Sequence, residues 1–328
     1  MVDYLLKLME DGEFQTCMQL AEQQLHKGGL TLAELAKVNL AICRCRLGLH
    51  DTYGAIPSGL LAVKLARDTN EWDVLGRALL NLGTAFVGIR QYDHALHHFY
   101  SYFEHLHKYT TAHRFEGAIW KHIGITHQRK LETDQAIDAL HRARKWFEKQ
   151  AIDVSVFTCT HDIVNTVLQK HQADPETSLA PAEEMLKAEF ALVRKYPDDT
   201  YYRATYLHDK AAHYLRADRI PRAMVCAMKA MEIRKGDHDL AFHCHMVLHR
   251  CCRLVGDAKQ ALGYALAARV QALQAHHYEF EFLASQAMAE VIREQGSRVV
   301  QELDAEYQAM GIDLSQYMPS SLLRREMN

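Results

Sequence analysis

The residues best suited to chemistry by type and spacing lie in HCHMVLHRCC, His243–Cys252. His245 and His249 are four apart and Cys252 follows three later, so on a helix the three share one face, and a tetrahedral zinc would need a fourth ligand from a neighbouring helix. The same positions fall where a helical packing face is expected, and with 21 histidines in the chain such clusters arise from composition. No metal site is expected. His94, His97 and His98, followed by His105, His107 and His113, would make a pH-sensitive surface if partly buried. Their expected place is the exposed side of an outer helix. No nucleophile elbow, phosphate-cradling glycine loop or paired-carboxylate motif occurs. An enzyme is not expected, nor any cofactor; the Met and aromatic positions such as Tyr100, Tyr102 and Phe103 read as core or repeat interface.

The elements that would position any site are set out by the run NLGTAFVGIRQYDHALHHF, Asn81–Phe99. Leu79, Leu82, Gly83 and Phe86 form one helical face, Arg90 and Gln91 make a polar break, and Ala95, Phe99 and Tyr102 form a second face. This predicts a helical hairpin. A glycine inside a helix costs about 1 kcal/mol relative to alanine, so Gly83 implies a neighbour packed too closely for a larger side chain.

The pattern recurs. Trp120, Ile123, Gly124 and His127 followed by Ala136, Leu140 and Ala143 repeat it, with Ala136 standing 41 positions after Ala95. Further copies are Leu207, Ala211 and Tyr214 with Ala223, Ala227 and Ala230, and His245, Leu248 and Cys252 with Gly256, Ala261, Ala265 and Ala268. Weaker copies begin at Leu40, at Ile163 with Leu186 and Phe190, and around Gly12-Glu13-Phe14.

A large residue, then Leu-Gly, an aromatic, Ala, an aromatic and Ala resembles the tetratricopeptide repeat. The resemblance covers roughly residues 1–295, about seven helical hairpins. Leu79 stands where the family usually has Trp, His127 replaces the usual Tyr, and the closing Pro of the first clear unit is missing. The implied fold is an all-α, right-handed superhelical solenoid of helix-turn-helix repeats. The spacing of about 40 residues resembles the repeat domains of bacterial intracellular receptors for signalling peptides, which implies a quorum-sensing type of ligand. Residues 296–328 break the rhythm: RVVQELDAEYQAM reads as a capping helix that Gly311 ends, and SLLRREMN as part of the cap or as a contact for a second copy in a homodimer.

No Gly/Ser/Pro-rich linker divides the 328 residues, and the six prolines and 48% hydrophobic content agree with a mostly helical chain. The longest apolar runs fall short of the ~20 residues needed to cross a membrane, and the N-terminus carries acids where a signal peptide would be basic. A cytoplasmic protein is expected, with its eight cysteines reduced and packed as small apolar groups. A net charge of -3 without a basic cluster argues against a nucleic-acid partner.

In such an array the first helix of each hairpin lines a groove. The register places Asn39, Asn81, His122, Asp162 and Asp209 at one groove position, Thr84 and Asn165 three residues further along the helix, and Arg46, Arg129, Gln169 and Arg216 four beyond those. Arg77, Lys121, His161, His208 and Arg250 lie on neighbouring parts of the face. Amides both donate and accept, which suits an extended peptide backbone, while Arg pairs with a carboxylate or a peptide C-terminus. The receptor resemblance selects Asn39, Asn81 and Asn165 as backbone-holding residues. The expectation is a non-catalytic module that binds a short peptide or extended protein segment through Asn39, Arg77, Asn81, Lys121, His122, Arg129, Asp162, Asn165, Asp209 and Arg216, and so regulates a partner. The alternatives are a structural adaptor, or the sensor portion of a transcription regulator whose DNA-binding part is not in this chain.

Overall fold

The computed structural model describes residues 2–105, 115–319 and 322. His107, His113 and most of SLLRREMN lie outside the described residues. Among the described residues sixteen α helices pack in consecutive pairs, with no strand. They are α1 Val2–Glu10, α2 Phe14–Lys27, α3 Leu32–Gly48, α4 Thr52–Asp68, α5 Trp72–Gly88, α6 Tyr92–Glu104, α7 Glu116–Arg129, α8 Thr133–Lys149, α9 Asp153–Ala173, α10 Ala180–Lys195, α11 Thr200–Arg216, α12 Ile220–Ile233, α13 His238–Leu254, α14 Ala258–Gln274, α15 Tyr278–Gln295 and α16 Arg298–Ala309, followed by a 3-10 turn at Leu314–Gln316.

Local sequence explains where the helices begin and end. Thr31 and Glu34 form a reciprocal cap at the start of α3, each side chain bonding the other residue's backbone N–H. Asp51, Asp199, Asp237 and Asp257 accept backbone N–H bonds at the starts of α4, α11, α13 and α14. Seven non-glycine residues have positive φ: His50, Asn70, Arg90, Leu131, Ala151, Asp218 and His276. Each stands two residues before the next helix. The residue after each donates its N–H to the carbonyl five positions back, as in Asp51 to Arg46, Gln91 to Phe86 and Glu132 to His127. One turn geometry, used repeatedly, thus closes a helix end and reverses the chain.

The chain divides into two compact units, residues 1–166 and 167–328. In the first, Leu40, Leu75, Leu79, Leu82, Phe99, Tyr102, Ile119 and Ile123 form a continuous buried core. Gly83 answers to Phe99: a Cβ there would lie 2.7 Å from the ring carbons Cδ1 and Cζ. Gly124 meets Leu140 Cγ at 2.6 Å in the same way. The second unit has a core of Ala211, Leu215, Ala223, Ala227 and Leu248, another of Leu262, Leu266, Met288, Val291 and Leu303, and a third where Phe242 and Phe280 stack at 4.3 Å. Here α16 packs on α14 and ends before Gly311, whose φ is 75°.

All eight cysteines are unpaired, and only Cys226 is not buried. Burial pushes the thiols of Cys43 and Cys159 up to about 12. No described helix is long and apolar enough to cross a membrane.

Candidate functional site

The first unit presents α3, α5, α7 and α9 as the first helices of successive hairpins, with α3 against α5 and α5 against α7. Their apolar faces fill the core, which leaves a polar register on the other side. On this register Lys121 of α7 reaches Asp162 of α9 at 3.5 Å. His122 is half-buried, with its ring 5.7 Å from that of Phe99. Burial first, then the positive charges of Lys121 and Arg44, hold its pKa down at about 4, so the imidazole is neutral at physiological pH and offers one donor and one acceptor.

On α9, the Asn165 amide lies 3.0 Å from the His161 imidazole. On α5, Asn81 is half-buried and has no side-chain hydrogen bond among the described residues, while Thr84 turns its hydroxyl onto the Leu80 carbonyl at 2.8 Å. Arg129 is exposed at the end of α7. The structure therefore brings Lys121, His122, Asp162 and Asn165 onto neighbouring helices of one unit, with Asn81 on the helix beside them.

Other expected residues are committed elsewhere. Asn39 is 5% exposed and its amide donates to the Leu35 carbonyl at 2.8 Å, one turn back on its own helix, so it is not free to hold a ligand backbone through that donor. Arg77 pairs with Glu10 of α1 at 2.6 Å and lies over the Phe115 ring. Arg46 bonds the Gly54 carbonyl and ties α3 to α4. Arg44, which the register had passed over, acts on His122 through its charge.

In the second unit Asp209 corrects the expectation of a groove residue. It is fully buried, with His208 Nδ1 2.9 Å from Oδ1, and it faces Glu189 of α10 with carboxylate oxygens within 4.8 Å. Glu189 is equally inaccessible, and both its oxygens lack a hydrogen-bond partner among the described residues. Burial, then the charge of Asp209, raises its pKa well above the usual carboxylate range. No local motif announces this pair, because its members sit twenty residues apart on different helices. Arg216 bonds Gln172 and is held below its ordinary pKa by burial and then by Arg250.

A groove of about 310 Å³ between α10 and α11 was also missed. Phe190, Tyr206 and Tyr214 line it, with Lys210 over both tyrosine rings and Arg219 at its end. The spacing of Tyr206, Lys210 and Tyr214 by fours was the available signal.

The zinc-like residues are packed individually. His249 Nδ1 lies 2.9 Å from the Ala261 carbonyl, the His245 ring faces Tyr264, and Cys252 belongs to the core. His94 and His98 stack on Phe86. Burial, then His97 and His94, hold the pKa of His98 down at about 4.

The sequence matches no protein-family model and no curated protein. Solved structures do resemble the fold. The apo quorum sensor NprR from B. thuringiensis matches with a TM-score of 0.58 at 13% identity, over 100% of this chain and 97% of that one. NprR in complex with its cognate peptide NprX matches with a TM-score of 0.57 at 12% identity, over 95% and 87% of the two chains. At such identity the likeness concerns architecture, and in architecture this chain is an all-α, tetratricopeptide-like array of helical hairpins.

Proposed function

We propose that the chain is a non-catalytic receptor for a short peptide or extended protein segment, held on the polar register of α3, α5, α7 and α9. The observation that carries the reading is Asn81, a half-buried amide with no side-chain hydrogen bond among the described residues, on a helix packed against one that carries Lys121 and His122. An amide in that position can accept from a peptide N–H and donate to a peptide carbonyl at once. Lys121 and Asp162, which pair at 3.5 Å, supply opposite charges on the same expected register, suited to the dipolar backbone and termini of a short peptide. Architectural likeness to a sensor crystallised with its cognate peptide supports the same reading.

In this reading residues 1–295 form the binding array and residues 296–328 its end piece. The net charge of -3 suits a peptide better than a phosphate backbone. The test is affinity selection of a random heptapeptide library on the purified chain, read by mass spectrometry, in parallel with Asn81→Ala and Lys121→Ala. Enrichment of a family of related peptides that either substitution abolishes is the expected result. A chain that enriches nothing, or whose enrichment ignores both substitutions, overturns the reading.

A further inference from the structure

Unpaired cations of the second unit gather around the groove between α10 and α11. Glu183, Lys187 and Phe190 stand at helical spacing on one face of α10, and Tyr206, Lys210 and Tyr214 do so on α11, so two stripes line a space of about 310 Å³. The rings of Phe190 and Tyr206 have centroids 5.5 Å apart, and Phe190 is 46% exposed, an apolar surface without cover. Lys210 Nζ donates to the Tyr206 hydroxyl at 3.3 Å and lies over both tyrosine rings, which leaves N–H donors unspent. Burial works against its charge, but the Tyr206 bond and the Tyr206, Tyr214 and Cys226 side chains outweigh it, so its pKa lies above the ordinary value. Arg219 and Arg222 bring their guanidinium groups over Tyr214. Among the described residues, Lys187, Lys210, Arg219 and Arg222 form no ion pair with a carboxylate, and Glu183, the acid lining the groove, stands 3.5 Å from His213 instead.

We propose that this groove binds a small aromatic carboxylate, its ring against Phe190 and Tyr206 and its anionic group between Lys210 and Arg219. The volume lies at the small end of ligand sites and suits a molecule of about one or two fused rings. Covering Phe190 removes apolar surface from water, and the cations then fix the orientation. A guanidinium takes a carboxylate through two parallel N–H bonds, and the ammonium adds a point charge beside it. Neither part suffices alone, because an exposed ring accepts any apolar body and an exposed cation holds an anion weakly. A cationic ligand is disfavoured, since Lys210 already occupies faces of Tyr206 and Tyr214 and the surrounding charge is of the same sign.

The groove lies within the second unit, and its test does not depend on the peptide reading of the first. Naphthoate is titrated into the intact chain at pH 7, with binding detected by saturation-transfer NMR and quantified by calorimetry. Naphthamide, which keeps the rings without the charge, and cyclohexanecarboxylate, which keeps the charge without an aromatic ring, are titrated in parallel. Saturable uptake of one equivalent of naphthoate, with both analogues weaker by about tenfold or more, is the expected result. Lys210→Met keeps an apolar stem and removes the charge, and Phe190→Ala changes an exposed position; each should weaken naphthoate binding about tenfold, and a cooperative melt checks that each folds. Absence of both signals at millimolar naphthoate overturns the proposal, as does equal binding of either analogue or an affinity that both folded variants leave unchanged. So does a chain that ignores naphthoate yet binds an acidic, phenylalanine-containing peptide through Lys210, which would assign the groove to a protein segment.

Discussion

Gly83 on α5 and Phe99 on α6 are fitted to each other: the space a side chain would take at position 83 is occupied by the edge of the Phe99 ring. Phe99 is itself fully buried, and it reaches toward the next helix, where its ring meets that of His122. A small residue therefore sets how closely one hairpin closes and, through Phe99, contacts a residue of the polar register.

Gly83→Ala gains helix propensity of about 1 kcal/mol and incurs overpacking of about 1–3 kcal/mol, so the melting temperature should fall. Adding Phe99→Leu should recover part of the loss, because the substitutions share one contact. A double-mutant cycle by thermal denaturation measures that coupling.

Leu131 closes the turn between α7 and α8 with φ of 64°, and its side chain is exposed. Left-handed geometry costs a non-glycine residue roughly 1–2 kcal/mol. Leu131→Gly should raise stability by about 1 kcal/mol after the added flexibility of the unfolded chain is counted, as measured by urea denaturation.

Two asparagines of the same expected register should behave oppositely. Asn39→Ala removes the bond to the Leu35 carbonyl and should cost about 1 kcal/mol of stability. Asn81→Ala, which breaks no hydrogen bond within the described residues, should leave stability within about 0.5 kcal/mol while abolishing peptide enrichment.

Glu189 sets a pH dependence of stability. Its folded pKa lies above its unfolded value because of burial and then Asp209. The group therefore favours folding only while both states are protonated, and stability declines as pH rises from the unfolded pKa of about 4.3 toward the folded one. Each tenfold weakening of the acid costs about 1.4 kcal/mol at pH above both values. Glu189→Gln should flatten this decline, giving a higher melting temperature than the parent near neutrality and a similar one below pH 4.

Thiol chemistry should report the same burial. Cys226 is the one half-buried cysteine, whereas Cys43, Cys159 and Cys244 are buried and held at about 12. Iodoacetamide at pH 8 should alkylate Cys226 first in the native chain, and all eight sites only after denaturation, as peptide mass mapping would show.

The hairpin architecture was legible in the order of residues because its causes are local. Apolar spacing, Asp and Thr caps and small residues at close contacts act within one or two turns, so Gly83 implied a near neighbour before the neighbour was known. The positive-φ turns were less visible, since six of the seven carry residues other than asparagine and only the chain reversal makes them necessary. Among the residues expected on the polar register, several are committed to a helix distant in sequence, Arg77 to Glu10, Lys121 to Asp162 and Asp209 to Glu189, which no local pattern could announce. The expected register paired Asn39 with Asn81, but α3 and α5 end at Gly48 and Gly88, so Ala41 is the counterpart of Asn81 and Asn39 falls where α5 has the buried Leu79; its amide turns to its own helix, while Asn81 has no side-chain hydrogen bond among the described residues. Periodicity follows from the chain itself, whereas burial and pairing of a polar group depend on which helices the fold sets side by side.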